Sequence, residues 1–403
     1  MNPELAPTHW SLAHRVGFRF VCAHLLLYFA PVPGTAWLPL AKLLARHLFH
    51  MELTYTQNGS GDTTYDYLRV LLIALTALLA TIIWSVLDRR RPNYHRLHGF
   101  VHAYLRYFIG LILMSYGLAK VFQSQFPFPS LHNLAQSYGD SSPMNLLWTF
   151  MGYSGPYNVF AGMAEVIPAM LLFYRRTATL GALIGAGVMA NIVALNFCYD
   201  VPVKQFSTHL FLTCLFLALP DAGRLYRLFL SGKPVAERVF VPLLPWPRVI
   251  FGWQFVKVIA LCLFFGFGIK SFMDGAPAKP KPPLQGVYRV VKMTLNDKHI
   301  DPKYVDPYIW REIVFGAPYR QSKEAGLMTI RTYGALQGGV YSLNFNLEGN
   351  EIKTNSGNIK YTPLPDGSIQ LENEAYRATF IKVPEYLLVN RGFHWINEFP
   401  FNR

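Results

Sequence analysis

The chain has 403 residues, 52% of them hydrophobic and only 15% charged, and carries a formal net charge of +14. An ordinary soluble domain is about 25% charged, so composition argues against a purely soluble enzyme, and the length leaves room for two or three domains. No basic run of the length nucleic acid requires occurs away from apolar segments, which excludes that partner class, and the four cysteines (Cys22, Cys198, Cys214, Cys262) form no CxxC pair, so neither a disulfide framework nor a thiolate metal site is on offer.

A hydrocarbon core needs roughly 20 apolar residues per helix. Seven runs qualify: 12–30, 67–87, 100–122, 156–174, 177–197, 206–220 (extendable through 230) and 249–269. The first contains Arg15 and Arg19. With "YFAPVPGTA" as a small-residue cleavage site it also reads as a signal peptide, although 19 residues is long for a signal's apolar core. The loop that follows, 31–66, includes "WLPLAKLLARHLFH", whose apolar and basic positions suit a helix lying in the membrane interface. "DRRRPNYHR" follows the second run, "YRR" separates the fourth from the fifth, and Arg224, Arg227, Lys233, Arg238 and Arg248 lie between the sixth and seventh. The intervening loops hold only Lys42, Arg46 and Lys204. Positive charge concentrates on the cytoplasmic side, so the expected topology has a cytoplasmic N-terminus and an external C-terminal domain in a bacterial inner membrane. Residues 123–155, rich in aromatics, Pro and Ser, read equally as a lid over a site or as an aromatic belt.

The text changes at about residue 275. "GAPAKPKPPLQG" reads as a stiff Pro-rich linker over 275–285. Residues 277–403 carry 16 Lys+Arg against 12 Asp+Glu, a surplus of 4 that leaves +10 to the apolar part, as expected beside an anionic leaflet. "GVYRVVKMTL", "WREIVFG", "LMTIRTY", "YSLNFNLEG", "IKYTPLPDGSIQLENEAYRATFIKV" and "YLLVNRGFHWINEFPF" are short, aromatic and alternating, with "LEGNE" and "LPDGS" as turns. They predict a small all-β barrel or sandwich over 286–403, either lipocalin-like with one apolar ligand or filled by its own side chains. Trp310, His394 and Trp395 are candidate ligand contacts, with core packing as the plainer reading. The expected fold is an α-helical polytopic membrane bundle of about seven spans over 1–274, a linker, and the barrel.

Ionisable residues inside spans point to function. Glu165 is the one acid deep in any expected span. It lies about nine residues, roughly 13 Å, from the inner end; Arg106 lies roughly 9 Å from the same side. Depth therefore favours Arg106 as the partner of Glu165, with Lys120–Glu165 pairing through a water-filled cavity left open. Lys120, with Tyr116 one turn before it, is expected to face an outer polar pocket. "NIVALNFCYDVPVKQFSTHLF" supplies Asn191, Asn196, Tyr199, Asp200, Lys204 and His209 for it. A lysine in an apolar pocket is a usable proton acceptor, and a histidine can shuttle the proton. The plainer reading is that these groups only join helices.

The segments "LILMSYGLAKVF" and "FAGMAEVIPAMLLFYRRTATLGALIGAGVMANIVALNF" resemble the DoxX-like membrane protein family over residues 100–220. That family has a four-helix unit with Gly-x-x-Lys in its first helix and an acid in its second, matched by Gly117, Lys120 and Glu165. The resemblance implies membrane redox work, as in a subunit of a thiosulfate:quinone oxidoreductase. The unit is also distantly similar to the membrane portion of vitamin K-dependent carboxylases, where a membrane lysine acts as base toward a hydroquinone. A quinone near Lys120 is thus implied; on that reading Lys120 handles the proton, Glu165 and Arg106 fix its helices, Asp200 and His209 poise it as the further catalytic candidates, and Tyr116, Asn191, Asn196 and Tyr199, with Arg106, lie around the ligand. No metal, haem or nucleotide signature accompanies them, so electrons would come from a redox partner protein or a bound quinone. The competing class is a non-enzymatic envelope scaffold or a binder of lipid or small molecules whose β tail grips a lipid or a protein.

Overall fold

The computed structural model describes residues 9–235, 247–274, 284–296, 298–301, 310–316, 326–332, 340–374, 376–384 and 386–401. Most of the expected linker, 275–283, lies outside them. The chain divides into two compact units: Met1–Phe126 with Gly155–Met273, and Pro127–Ser154 with Asp274–Arg403.

The first unit is helical: α1 (Leu12–Tyr28), α2 (Leu38–Leu48), α3 (Thr64–Leu87) and α4 (His95–Val121). Two helices of the second unit, α5 (Leu131–Ala135) and α6 (Pro143–Tyr153), intervene in sequence. The bundle resumes with α7 (Gly155–Phe173), α8 (Ala178–Cys198), α9 (Lys204–Ala218), α10 (Ala222–Tyr226) and α11 (Pro247–Asp274). Among the described residues, five helical runs are long and apolar enough to cross a membrane: α3, α4, α7, α8 and the run Lys204–Ser231 that α9 begins. The expected seven are not reached on the described residues. In α11 the described apolar stretch is Leu261–Lys270. Helix α1 has 17 residues and buries Arg19, which is 1% exposed.

The burial of Arg19 has a chemical explanation. Its guanidinium donates to the Tyr94 hydroxyl (2.9 and 2.7 Å), to Ser85 Oγ (2.8 Å) and to the Asp88 carbonyl (3.0 Å). Tyr94 in turn donates to Asp88 Oδ2 at 3.0 Å. A buried charge is tolerated when its donors are satisfied, so this network ties α1 to α3 and to the start of α4. At its first turn α3 carries a capping box, in which Thr63 Oγ1 accepts from the Asp66 N–H and the Asp66 carboxylate accepts from the Thr63 N–H. Helix α2, the expected interfacial segment, lays Ala41 and Ala45 against Tyr65 and Leu68 and turns Leu40, Leu43 and Leu48 outward.

The second unit holds β1 (Gly286–Leu295), β2 (Lys298–Ile300), β3 (Trp310–Gly316), β4 (Gly326–Thr332), β5 (Val340–Glu348), β6 (Glu351–Thr354), β7 (Gly357–Pro363), β8 (Ile369–Glu372), β9 (Tyr376–Lys382) and α12 (Leu387–Asn390). Every pairing is antiparallel, β3 to β9 pair in chain order, and β1 pairs with both β3 and β9. Eight strands therefore close an up-and-down barrel, with β2 an extra hairpin strand on β1. Alternate residues point inward. Met293, Ile313, Phe315, Met328, Phe345, Ile352, Leu371 and Phe380 are fully buried together, so apolar side chains fill the interior. Trp310 stacks on Tyr376 at the edge of this core.

Two expectations are corrected here. "YLLVNRGFHWINEFPF" is not a strand: it forms α12 and an irregular tail in which Trp395 is 91% exposed. The reason is closure. With β8 on one side and β1 on the other, β9 has no edge left for the segment that follows it. Residues 127–154, read as a loop of the bundle, contain α5 and α6 and pack with the barrel unit, where Arg331 Nη2 donates to the His132 carbonyl at 2.7 Å.

Candidate functional site

Helices α4 and α7 run antiparallel and touch through glycine. A Cβ on Gly117 would stand 2.8 Å from the Gly162 carbonyl oxygen, and one on Gly162 would stand 2.6 Å from the Gly117 carbonyl oxygen. Such contacts exclude a side chain at either position, and small residues are what let membrane helices approach this closely. Three residues past each glycine, on the same helix face, stand Lys120 and Glu165.

Lys120 Nζ lies 2.7 Å from Glu165 Oε1, and the two side chains are 9% and 2% exposed. The other carboxylate oxygen, Oε2, is buried and accepts no hydrogen bond among the described residues. The ammonium also lies 5.8 Å from the ring centres of both Tyr116 and Phe126. Phe126 is held there by Asn158, two turns before Glu165 on α7, whose Nδ2 donates to the Phe126 carbonyl at 2.8 Å. Asn158 is itself wholly buried. A lysine ammonium has three N–H donors and a carboxylate about four lone-pair sites, so one mutual bond leaves hydrogen-bonding capacity on both groups. The site can thus hold, donate or accept a proton in apolar surroundings.

The structure brings together Lys120, Glu165 and Tyr116 from the expected set and separates the rest. Arg106 is not the partner of Glu165. It lies 14 residues before Lys120 on α4, about 21 Å along the axis, with its guanidinium 5.0 Å from the Tyr107 ring. Depth along each helix did not decide the pairing because α7 is slid along α4 so that Gly117 packs on Gly162 and Val166, which brings the last turn of α4 beside Glu165. His209 does not face Lys120 either: its Nε2 is 3.2 Å from His24 Nε2, its Nδ1 meets the Gln205 carbonyl at 2.8 Å, and its ring stacks on Tyr28 at 3.7 Å. Asp200 is 84% exposed in its side chain and pairs with Lys204 at 2.8 Å, the partner four residues on. Asn196 is buried and donates to Ser207 Oγ at 3.0 Å, joining α8 to α9. Asn191 is exposed on α8 and Tyr199 is half-buried at its C-cap. The expected outer pocket around Lys120 therefore does not form from α8 and α9.

Sequence reasoning missed Asn158, Gly162 and Phe126. Gly162 and Glu165 form a Gly-x-x-acid that mirrors the Gly-x-x-Lys of Gly117 and Lys120, and that repeat was the signal available. It also missed α1 as the source of His24 and Tyr28, which no local pattern connects to His209.

No family model matches the chain, and no solved structure matches it. The chain is 37% identical over 140 residues to the uncharacterized protein YwoB of Bacillus subtilis (strain 168), a match that covers 34% of this chain and 87% of that protein. The chain therefore belongs to the family of YwoB.

Proposed function

We propose that this chain is a DoxX-like component of a membrane redox system that binds a quinone or a small apolar molecule beside Lys120 and Glu165. The reading places it in a bacterial cytoplasmic membrane, N-terminus inside and barrel in the periplasm, with membrane lipid around it and a redox partner protein supplying electrons. The observation that carries it is the buried 2.7 Å Lys120–Glu165 pair with one carboxylate oxygen left over. Replacing a buried ion pair by apolar residues of similar volume is often neutral or stabilising, so stability alone is a weak reason to keep one between two apolar helices. The donor set fits a quinone: spare N–H groups on Lys120 suit its carbonyl, and Glu165 Oε2 is an acceptor for a hydroxyl. A bound quinone supplies two-electron, two-proton chemistry. The role of the chain is to hold the proton on Lys120, accept at Glu165, and exclude water with Tyr116 and Phe126.

One observation favours a second reading. Lys120 and Glu165 neutralise each other, as expected of a pair that only joins α4 to α7, and the protein would then be a scaffold or a binder of lipid or small molecules. Organic extraction of the purified protein and absorbance of the extract distinguish the two. Co-purifying quinone that disappears in a folded Lys120→Met variant supports the first. Quinone retained by that variant, or a variant that loses stability alone, refutes it. No quinone together with retained lipid supports the second.

A further inference from the structure

A second site, separate from Lys120, lies where α1 ends and where α3 and α9 begin. A cavity of about 330 Å³ there is lined by Tyr28, the loop Tyr55–Gly61, Asp66, Arg69 and Phe206. Its volume falls at the lower end of small-ligand pockets. The loop wall is fixed in place. Asn58 Oδ1 accepts from the Ser60 N–H at 3.0 Å, the Gly61 N–H donates to the Pro202 carbonyl at 2.9 Å, and the Asp62 carboxylate accepts the N–H groups of Lys204 and Gln205 at 2.6 and 3.0 Å. The Tyr28 wall is backed by the His209 ring stacked on it at 3.7 Å.

Two charges line this cavity and do not satisfy each other. Arg69 makes no hydrogen bond and no ion pair among the described residues, and its Nε is buried without a partner. Its guanidinium only faces the Tyr28 ring, 5.8 Å from the centre. Asp66, three residues earlier on the same helix, uses Oδ2 for the cap of α3 at Thr63 (3.0 and 2.6 Å) and accepts nothing at Oδ1 among the described residues. Residues three apart on a helix are neighbours and opposite charges at that spacing ordinarily pair. Here both residues line the cavity, with hydrogen-bonding capacity left on the guanidinium and on the carboxylate. A guanidinium matches an oxyanion, and a carboxylate oxygen with aromatic walls matches an ammonium.

We propose that this cavity binds a zwitterion, an oxyanion joined by a short spacer to an ammonium, with the oxyanion on Arg69 and the ammonium on Asp66. Phosphoethanolamine has this chemistry, either as a free solute or as the headgroup of a phospholipid. The position at the ends of three helices, one of them an apolar helix long enough to cross a membrane, suits either source.

The test titrates the full-length protein in detergent with dihexanoyl phosphatidylethanolamine, dihexanoyl phosphatidylglycerol and O-phosphoethanolamine, reading heat of binding and thermal unfolding. The ethanolamine lipid is expected to bind saturably and raise the unfolding temperature, and the glycerol lipid, lacking the ammonium, to bind about tenfold more weakly. Arg69→Gln abolishes the binding. If O-phosphoethanolamine matches the lipid, the ligand is the free zwitterion; if only the lipid binds, it is the headgroup. No saturable binding of either ethanolamine probe, equal binding of the two lipids, or unchanged binding by folded Arg69→Gln overturns the proposal. Should that variant fail to fold, discrimination between the two lipids by the unaltered protein decides.

Discussion

Gly117 and Gly162 meet backbone to backbone, and that contact sets the positions of Lys120 and Glu165 one turn beyond them. A Cβ on Gly162 would lie 2.6 Å from the Gly117 carbonyl oxygen and 2.9 Å from the Val121 nitrogen. Neither neighbour is a flexible side chain that can step aside.

Gly162→Ala should therefore force α4 and α7 apart. The expected cost is about 1–3 kcal/mol, the usual range for overpacking. The same variant should lose whatever ligand the Lys120 site holds, because the 2.7 Å pair opens with the helices. Denaturant unfolding in detergent and ligand retention on purification measure the two effects.

Breaking the ion pair from one side should cost more than removing it from both. Glu165→Leu leaves a buried ammonium and Lys120→Met leaves a buried carboxylate, each expected to cost about 3–5 kcal/mol. The double variant should recover most of that loss, because no uncompensated charge remains. A coupling energy near zero in the double-mutant cycle would show that the two groups do not interact in the folded protein.

In the barrel, Phe345 is fully buried against Phe315, with ring centres 5.2 Å apart. Phe345→Ala should destabilise the unit by about 3–5 kcal/mol through lost burial and a cavity. Hydrogen exchange of the β4 and β5 amides is the measurement that isolates this unit from the helical one.

Glu312 gives the barrel unit a pH dependence of defined sign. Burial pushes its carboxyl above the ordinary value of 4.5, opposed by Arg331 and Arg289, whose guanidinium nitrogens lie 3.9 and 3.7 Å away. A raised carboxyl favours the folded state while it is protonated. The contribution is complete below pH 4.5 and is lost as the pH rises through the folded-state value. Glu312→Gln should flatten the stability profile across that window, read as the pH dependence of β3 hydrogen exchange.

Much of the architecture was legible in the sequence because it depends on local patterning. The strands β1 and β3 coincide with "GVYRVVKMTL" and "WREIVFG", and "LEGNE" and "LPDGS" turn at Gly349 and Gly367, both with positive φ. Period-two alternation and turn chemistry carry that information. The apolar helices were equally visible, since about 20 residues of hydrocarbon-like sequence have few other uses. Lys120 and Glu165 were identifiable as ionisable residue types that an apolar helix does not accept without reason, and Gly117 only through the Gly-x-x-Lys of the family resemblance.

Pairing was decided only by the tertiary structure. Whether Glu165 meets Arg106 or Lys120 depends on how far α7 slides along α4, and the Gly117–Gly162 contact fixes that slide to a fraction of a turn. Whether Arg19 reaches water depends on Tyr94, Ser85 and Asp88 arriving from 66 or more residues away. His209 turned to His24 and Tyr28 for the same reason. Composition and periodicity establish which face of a helix is apolar, but the choice of partner depends on steric fit between residues distant in sequence, and no local pattern records it.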